Sequence, residues 1–478
     1  MGGAMLNPRQ SLRLRQIVII CVGLLALYLF LPKPEASLDS SRTLLGELPE
    51  NWKSASSSSS KATTRLSEEL LNNRFLTAQQ CASAFPGLTR EIDDAVAKGP
   101  FVLEKSGPLG PLIAQVKNGK LFILHAASTR DLSRDMILHR TATLHQIHRA
   151  LLTAPSPLEI PDTIFAFNHH DNPTARTFSY SRPADPARNG PSAPYFPIPH
   201  FGFWSWPLPF IKSLPDAASA IAALESGLSW SGKDPRAVWR GTPHFNSPST
   251  ASAHTRQDLV LTAGHRPWSD VEALEWTGPN GRNASNALPI ADFCGYRYIV
   301  HTEGVTYSGR MPFHQLCASV VLTPPLGWMQ HTSRLIRPVF SYNLPGDGVQ
   351  RTLRPGRDLG GGVVEKVSLA PYPSAWVAAA WGGGYTVDEA NMVFVAPDWS
   401  DLEAVVGWLE RHPDVAEGIA RRQRETYHGA GFLSPAAETC YWRAAIRGWS
   451  SVVDYRDLEV ENMEAVPYEE FVITQNTK

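Results

Sequence analysis

The residues that could carry chemistry fall at the ends of apolar runs. TIFAFN (163–168) reads as a buried strand and runs directly into His169-His170-Asp171-Asn172-Pro173. A carboxylate just past the carboxyl end of such a strand can face a cleft and accept a proton. Asp before Asn-Pro is also an ordinary turn starter, so Asp171 is open to either role. RAVWRG (236–241) ends on Arg240-Gly241, where a guanidinium followed by glycine suits close approach to a phosphate. From Cys294 to Pro324 the pattern is strand, turn, helix, strand. Tyr296, Tyr298 and Val300 alternate with Arg297, Ile299 and His301, and Gly304 closes the strand. SVVLT is apolar almost throughout, as a buried parallel strand is. Tyr307, Ser308 and Gly309 lead into the intervening helix, with Arg310 in its first turn. Free N–H groups and the helix dipole favour an anion there, and the same field disfavours an arginine unless an anion sits beside it. The competing reading leaves Arg310 on the surface. The inventory is one carboxylate able to take a proton and a set of groups able to hold a phosphate. No Asp-x-Asp occurs to hold a divalent ion. His169 and His170 are adjacent and should point apart, so no metal site is expected.

These residues need a scaffold that brings strand ends to one cleft. IAQVKNGKLFIL (113–124) reads as a hairpin with Asn118-Gly119 as a type I′ turn, and 133–152 as a helix with Ile137, Leu144, Ile147 and Leu151 on one side. Residues 191–210 hold too many prolines for a helix or central strand and read as an ordered loop pinned by Phe201, Phe203, Trp204 and Trp206. A helix near 216–226 and a Ser/Gly turn at 229–232 mark a domain junction. Residues 341–390 are Gly-rich and look inserted. A strand then leads to Asp398 as a plausible cap, and helices at 413–427 and 434–450 finish the body. Strand-then-helix units in both halves predict an α/β chain of two facing doubly wound domains, 65–232 and 233–450, followed by a tail, 451–478.

A chain of 478 residues is long enough for two sizeable cores, and a net charge of −1 gives no bulk field for nucleic acid. Residues 1–16 carry arginines and no acid, and 17–31 carry no charge. We read a cytosolic tail and a transmembrane signal anchor, with a cleaved signal peptide as the rival. Residues 32–64 are Ser-rich and read as a stem. That layout is the one of a single-pass type II protein with a lumenal body in the endoplasmic reticulum or Golgi. Cys21 lies in the apolar run, leaving Cys81, Cys294, Cys317 and Cys440, which allow three pairings. Asn283-Ala-Ser285 is the open glycosylation sequon.

The spacing of Cys294, Tyr296–Tyr298, Gly304, Ser308, Arg310, Cys317 and 319–322 resembles the signature of glycosyltransferase family 90, which holds protein O-glucosyltransferases and capsule-associated xylosyltransferase-like proteins. The resemblance runs from about Pro161 to Trp449, broken at the Gly-rich insertion, and is specific here and around Trp239–Gly241. It implies a GT-B fold and inverting transfer of xylose or glucose from a UDP-sugar to a hydroxyl of a glycan or glycoprotein. It implies that Asp171 is the base and that Arg240, Gly241, Gly304, Tyr307, Ser308, Gly309 and Arg310 bind the donor. Arg256 is the best match to the family's second arginine. The resemblance also implies a Cys294–Cys317 bridge, which leaves Cys81 for Cys440. No cofactor is required on this reading, while the xylosyltransferase-like members leave a divalent ion such as manganese open. Two other classes compete: a glycoside hydrolase pairing Glu303 with Asp171, and a non-catalytic carbohydrate-binding protein that kept the fold.

Overall fold

A computed structural model describes residues 66–475 apart from 190–193, 247–253, 279–280, 347, 361 and 460–462. The expected anchor at 17–31 and the stem lie outside the described residues. No described helix is long and apolar enough to cross a membrane.

The strand Tyr296–Val300 lies inside a six-stranded sheet whose order is Pro338–Phe340, Met392–Phe394, Val320–Thr323, Tyr296–Val300, Asp234–Gly241 and Ser269–Ala273. Every pairing in it is parallel. Because side chains alternate along a strand, each face carries its own core. Val238, Ile299 and Val321 pack with Phe313 and Leu316 on one side. Trp239, Tyr298, Val300 and Leu322 pack with Leu259, Leu402 and Leu409 on the other. The helix Leu402–Arg411 opens at Asp401, whose carboxylate accepts from the Ala396 N–H at 2.9 Å. Asp398, the expected cap, instead accepts from Arg351 at 2.9 Å and from the Ala370 N–H at 2.7 Å. The Gly-rich insertion folds against this half, where Arg354 reaches Asp258 at 3.2 Å and Glu365 at 3.1 Å.

The first half departs from the doubly wound pattern. Its sheet runs Val466–Pro467, Lys120–His125, Leu112–Lys117, Thr163–Phe167, Phe178–Ser179 and Phe196–Pro197. The first three pairings are antiparallel and the last two parallel. The reason is local. Asn118 and Gly119 adopt φ of 52° and 71°, the conformation a two-residue hairpin needs, and the chain returns beside itself without a crossover helix. Trp204, expected to pin the Pro-rich loop from inside, is 36 % exposed and stacks on His145, while Phe201 and Phe203 are buried.

The end of the chain belongs to this first half. Within the helix Pro435–Ser450, Tyr441, Trp442 and Trp449 lie in one core with Phe165, Phe178 and Phe196. Trp449 Nε1 donates to the Ile164 carbonyl at 2.8 Å, and a Cys81–Cys440 disulfide fixes the helix to the start of the body. Beyond it, Val466–Pro467 adds an edge strand, so the expected tail is part of the sheet.

Candidate functional site

A cavity of about 540 Å³ opens between the strand ends of the two halves. One wall holds His139, His169, His170, Asp171 and His200, and the other holds Gly241, Arg256, Gly304, Tyr307, Ser308, Gly309 and Arg310. Trp206, Phe210, Phe245 and Trp276 form an apolar rim. A volume of this size matches small-ligand sites, which run roughly 300–1,000 Å³.

Asp171 follows the strand Thr163–Phe167, as the end of a buried strand requires. Asn168 shapes the loop: its Oδ1 accepts from the His170 N–H at 3.1 Å and its Nδ2 donates to the Asn172 carbonyl at 2.7 Å. The Asp171 carbonyl accepts from Thr306 Oγ1 at 2.8 Å, so the loop is docked on the opposite half. The carboxylate itself has no hydrogen-bond partner among the described residues. The residue is exposed as a whole, yet the surrounding walls desolvate its carboxylate and push its pKa up, with His170 opposing. His169 and His170 do not point apart. Their rings stack at 4.7 Å because the loop, unlike a strand, turns both the same way. Burial drives the His169 pKa down to about 3, leaving a neutral ring. No group of three or more His, Cys, Asp or Glu side chains among the described residues is placed to share a metal.

Arg256 and Arg310 meet on the other wall. Arg256 lies in the first turn of the helix Thr255–Ala263, with Nε donating to the Glu303 carbonyl at 2.9 Å and Nη1 to the Thr242 carbonyl at 3.1 Å. Gly304 admits it: a Cβ there would sit 3.3 Å from Arg256 Nη2. Arg310 donates to the Arg240 carbonyl. Burial lowers the Arg256 pKa to about 9, with the Arg310 charge adding to it, and lowers Arg310 to about 10. Neither arginine has a carboxylate partner among the described residues. Two desolvated guanidiniums without counter-charge are costly, and an anion between them relieves the cost.

Three further expectations fail on geometry. Arg240 does not line the cavity. The edge strand sets Asp270 beside it, and its guanidinium binds that carboxylate at 2.7 Å and the Asn286 carbonyl at 3.1 Å. The helix after Gly309 spans only Met311–Gln315, with Arg310 at its N-cap, so it is too short for a substantial dipole. Charge on the arginines, not the helix, makes this turn electropositive. Glu303 also faces away. Its two oxygens accept from the Gly327 and Trp328 N–H groups at 3.1 and 2.9 Å, and burial raises its pKa to about 8. Asn283 is exposed on the short hairpin next to Trp276. A Cys294–Cys317 disulfide joins the central strand's start to the turn before Val320.

Residues 112–347 match the family model described as Glycosyl transferase family 90. The chain carries a glycosyl transferase family 90 domain. The match begins upstream of the resemblance read from sequence and stops within the Gly-rich insertion. No curated protein matches the chain. The domain contains every cavity wall named above, from His139 to Arg310. The cavity residues that escaped the sequence reading include His139, Trp276 and His200. The last carried a signal, being the lone polar side chain in the apolar run PYFPIPHFGFW.

Proposed function

We propose that this family 90 domain is an inverting glycosyltransferase that moves a sugar from a UDP-sugar to an acceptor hydroxyl. The observation that carries the reading is the pairing of an unpartnered carboxylate, Asp171, with two uncompensated guanidiniums, Arg256 and Arg310, across one cavity. The acceptor hydroxyl gives its proton to Asp171 as its oxygen attacks the anomeric carbon. The bond from that carbon to the β-phosphate oxygen breaks, and UDP leaves with the electron pair. Arg256 and Arg310 stabilise the charge that grows on the diphosphate. Ser308, Gly309, Gly304 and Gly241 form the floor on which it lies, and Tyr307 walls the sugar. Displacement from one face with a single base inverts the centre.

Glucose or xylose as the sugar, and a glycan or glycoprotein as acceptor, follow from the family's known members. Two features support a lumenal, membrane-anchored enzyme: the uncharged run 17–31 behind an arginine-bearing N-terminus, and two disulfides, which persist in oxidising compartments. A hydrolase needs a second carboxylate beside the scissile bond. Glu303 is bound to backbone, and Asp135 at the cavity mouth is tied to Arg282 at 2.8 Å. The test is a UDP-sugar panel with purified protein, reading UDP release and acceptor glycosylation with and without chelator. Acceptor-dependent UDP release that persists with chelator is expected. Cleavage of plain oligosaccharides in place of transfer would refute the reading.

A further inference from the structure

His200 sits in the Pro-rich loop with its ring fixed from several sides. Its Nδ1 accepts from the Gly202 N–H at 3.0 Å, and its carbonyl accepts from Gln146 Nε2 at 3.0 Å. Gln146 is held in turn by Trp442 Nε1 at 3.1 Å. The ring packs on Phe201 at 3.7 Å and near Trp206 at 5.1 Å between centroids. It is 3 % exposed, and burial keeps it neutral by driving its pKa well below the usual value. A neutral imidazole whose Nδ1 accepts carries its one proton on Nε2. Among the described residues nothing accepts that proton, although the ring lines the cavity. Nε2 overlies the turn that carries Arg310, since a Cβ on Gly309 would lie 2.3 Å from it. Only glycine there lets the ring reach this position.

Resting on the nucleotide-sugar reading above, we infer that His200 is a sugar-specificity residue whose Nε2–H donates to one hydroxyl of the sugar being transferred. The diphosphate already faces two cations, and a neutral donor suits a neutral hydroxyl better than a phosphate. A buried donor that loses its partner is left unpaired, which is how a site rejects a sugar lacking that hydroxyl.

The test compares kcat/KM for the UDP-sugar the protein uses best with its single-deoxy versions. His200→Asn keeps an acceptor for the Gly202 N–H and removes Nε2–H, whereas His200→Gln keeps a donor near Nε2. In the wild type one deoxy donor should lose roughly tenfold or more. In His200→Asn that loss should vanish for the same donor while the other deoxy penalties stay, because one hydrogen bond is lost only once. His200→Gln should restore part of it, and UDP affinity should be unchanged in both. Gly309→Ala, which displaces the ring without altering it, should erase the same distinction and serves if His200→Asn does not fold. Unaltered deoxy penalties in the variants, or a fall in UDP affinity in His200→Asn and His200→Gln that parallels the change in deoxy penalty, would overturn the inference; UDP affinity is not read in Gly309→Ala, because Gly309 belongs to the diphosphate floor. A wild type that turns over no UDP-sugar would instead overturn the nucleotide-sugar reading, and this inference with it.

Discussion

A carboxylate and two guanidiniums that meet no counter-charge among the described residues work against folding, so their removal separates function from stability. Asp171→Asn should cut transfer by roughly two to four orders of magnitude while UDP affinity survives, since the diphosphate contacts lie on the other wall. The raised Asp171 pKa sets the sign of the pH dependence. Its proton-accepting form is lost as pH falls through the raised value, so the acid limb of the rate should lie above that of an ordinary carboxylate. An acid with a raised folded pKa also costs stability once pH exceeds its ordinary value, so the Asn variant should melt no lower than wild type near neutrality. Near-normal transfer by that variant would assign the proton elsewhere. Arg310→Met should weaken UDP binding by about 1.5–3 kcal/mol, yet leave the melting temperature of the ligand-free protein equal or higher. Lower stability with unchanged UDP affinity would make Arg310 structural. At this scale the sequence was legible only in part. Asp171 and Gly304 lie on the cavity because each closely follows a strand end, and Ser308 and Gly309 because the turn after Gly304 stays on the same wall. Arg240 was misread because a strand end fixes where the backbone is, while the neighbouring strand's Asp270 decides where its side chain goes.

The elements that hold these residues make their own predictions. Thr306 clasps the Asp171 carbonyl across the cleft, so Thr306→Val should lower kcat with UDP affinity unchanged and cost about 1 kcal/mol of stability. Equal loss of both kinetic and UDP-binding terms would show that the turn, not the Asp171 loop, had moved. Cys294→Ser and Cys317→Ser should destabilise to a similar extent, by roughly 2–4 kcal/mol, and the double variant little more than either. Additive losses would count against a shared bond. The parallel strands were readable because fully apolar runs such as Val320–Thr323 have one fate, burial on both faces. The short helix Met311–Gln315 was overestimated because Met311, Phe313 and Leu316 keep helical spacing past the point where hydrogen bonding turns irregular. His200 was missed because periodicity says nothing about an irregular loop.

Across the whole molecule, the second half follows the doubly wound expectation and the first does not. Antiparallel return through Asn118-Gly119 needs only a hairpin, and the edge strand Val466–Pro467 comes from a segment with no strand-like run to announce it. Deleting residues 451–478 should therefore destabilise the first half, read as earlier loss of hydrogen-exchange protection in Leu112–His125 than in Tyr296–Val300. Equal protection would mean that the added strand is passive.

The helix Pro435–Ser450 bears on how the protein is born. Synthesis is vectorial, and domains generally fold as units from the N-terminal end while the ribosome works at roughly 5–20 residues per second. Here the first half cannot do so, because Tyr441, Trp442 and Trp449, which fill its core, leave the ribosome after the whole second half. The nascent first half must wait with Phe165, Phe178 and Phe196 uncovered while the parallel sheet behind it completes. Cys81 likewise waits for a partner 359 residues downstream, exposed to premature pairing with Cys294 or Cys317. Production of this chain should therefore be governed by chaperones and disulfide exchange acting on a half-built intermediate, and an isolated first half should accumulate as aggregate unless the final helix is supplied.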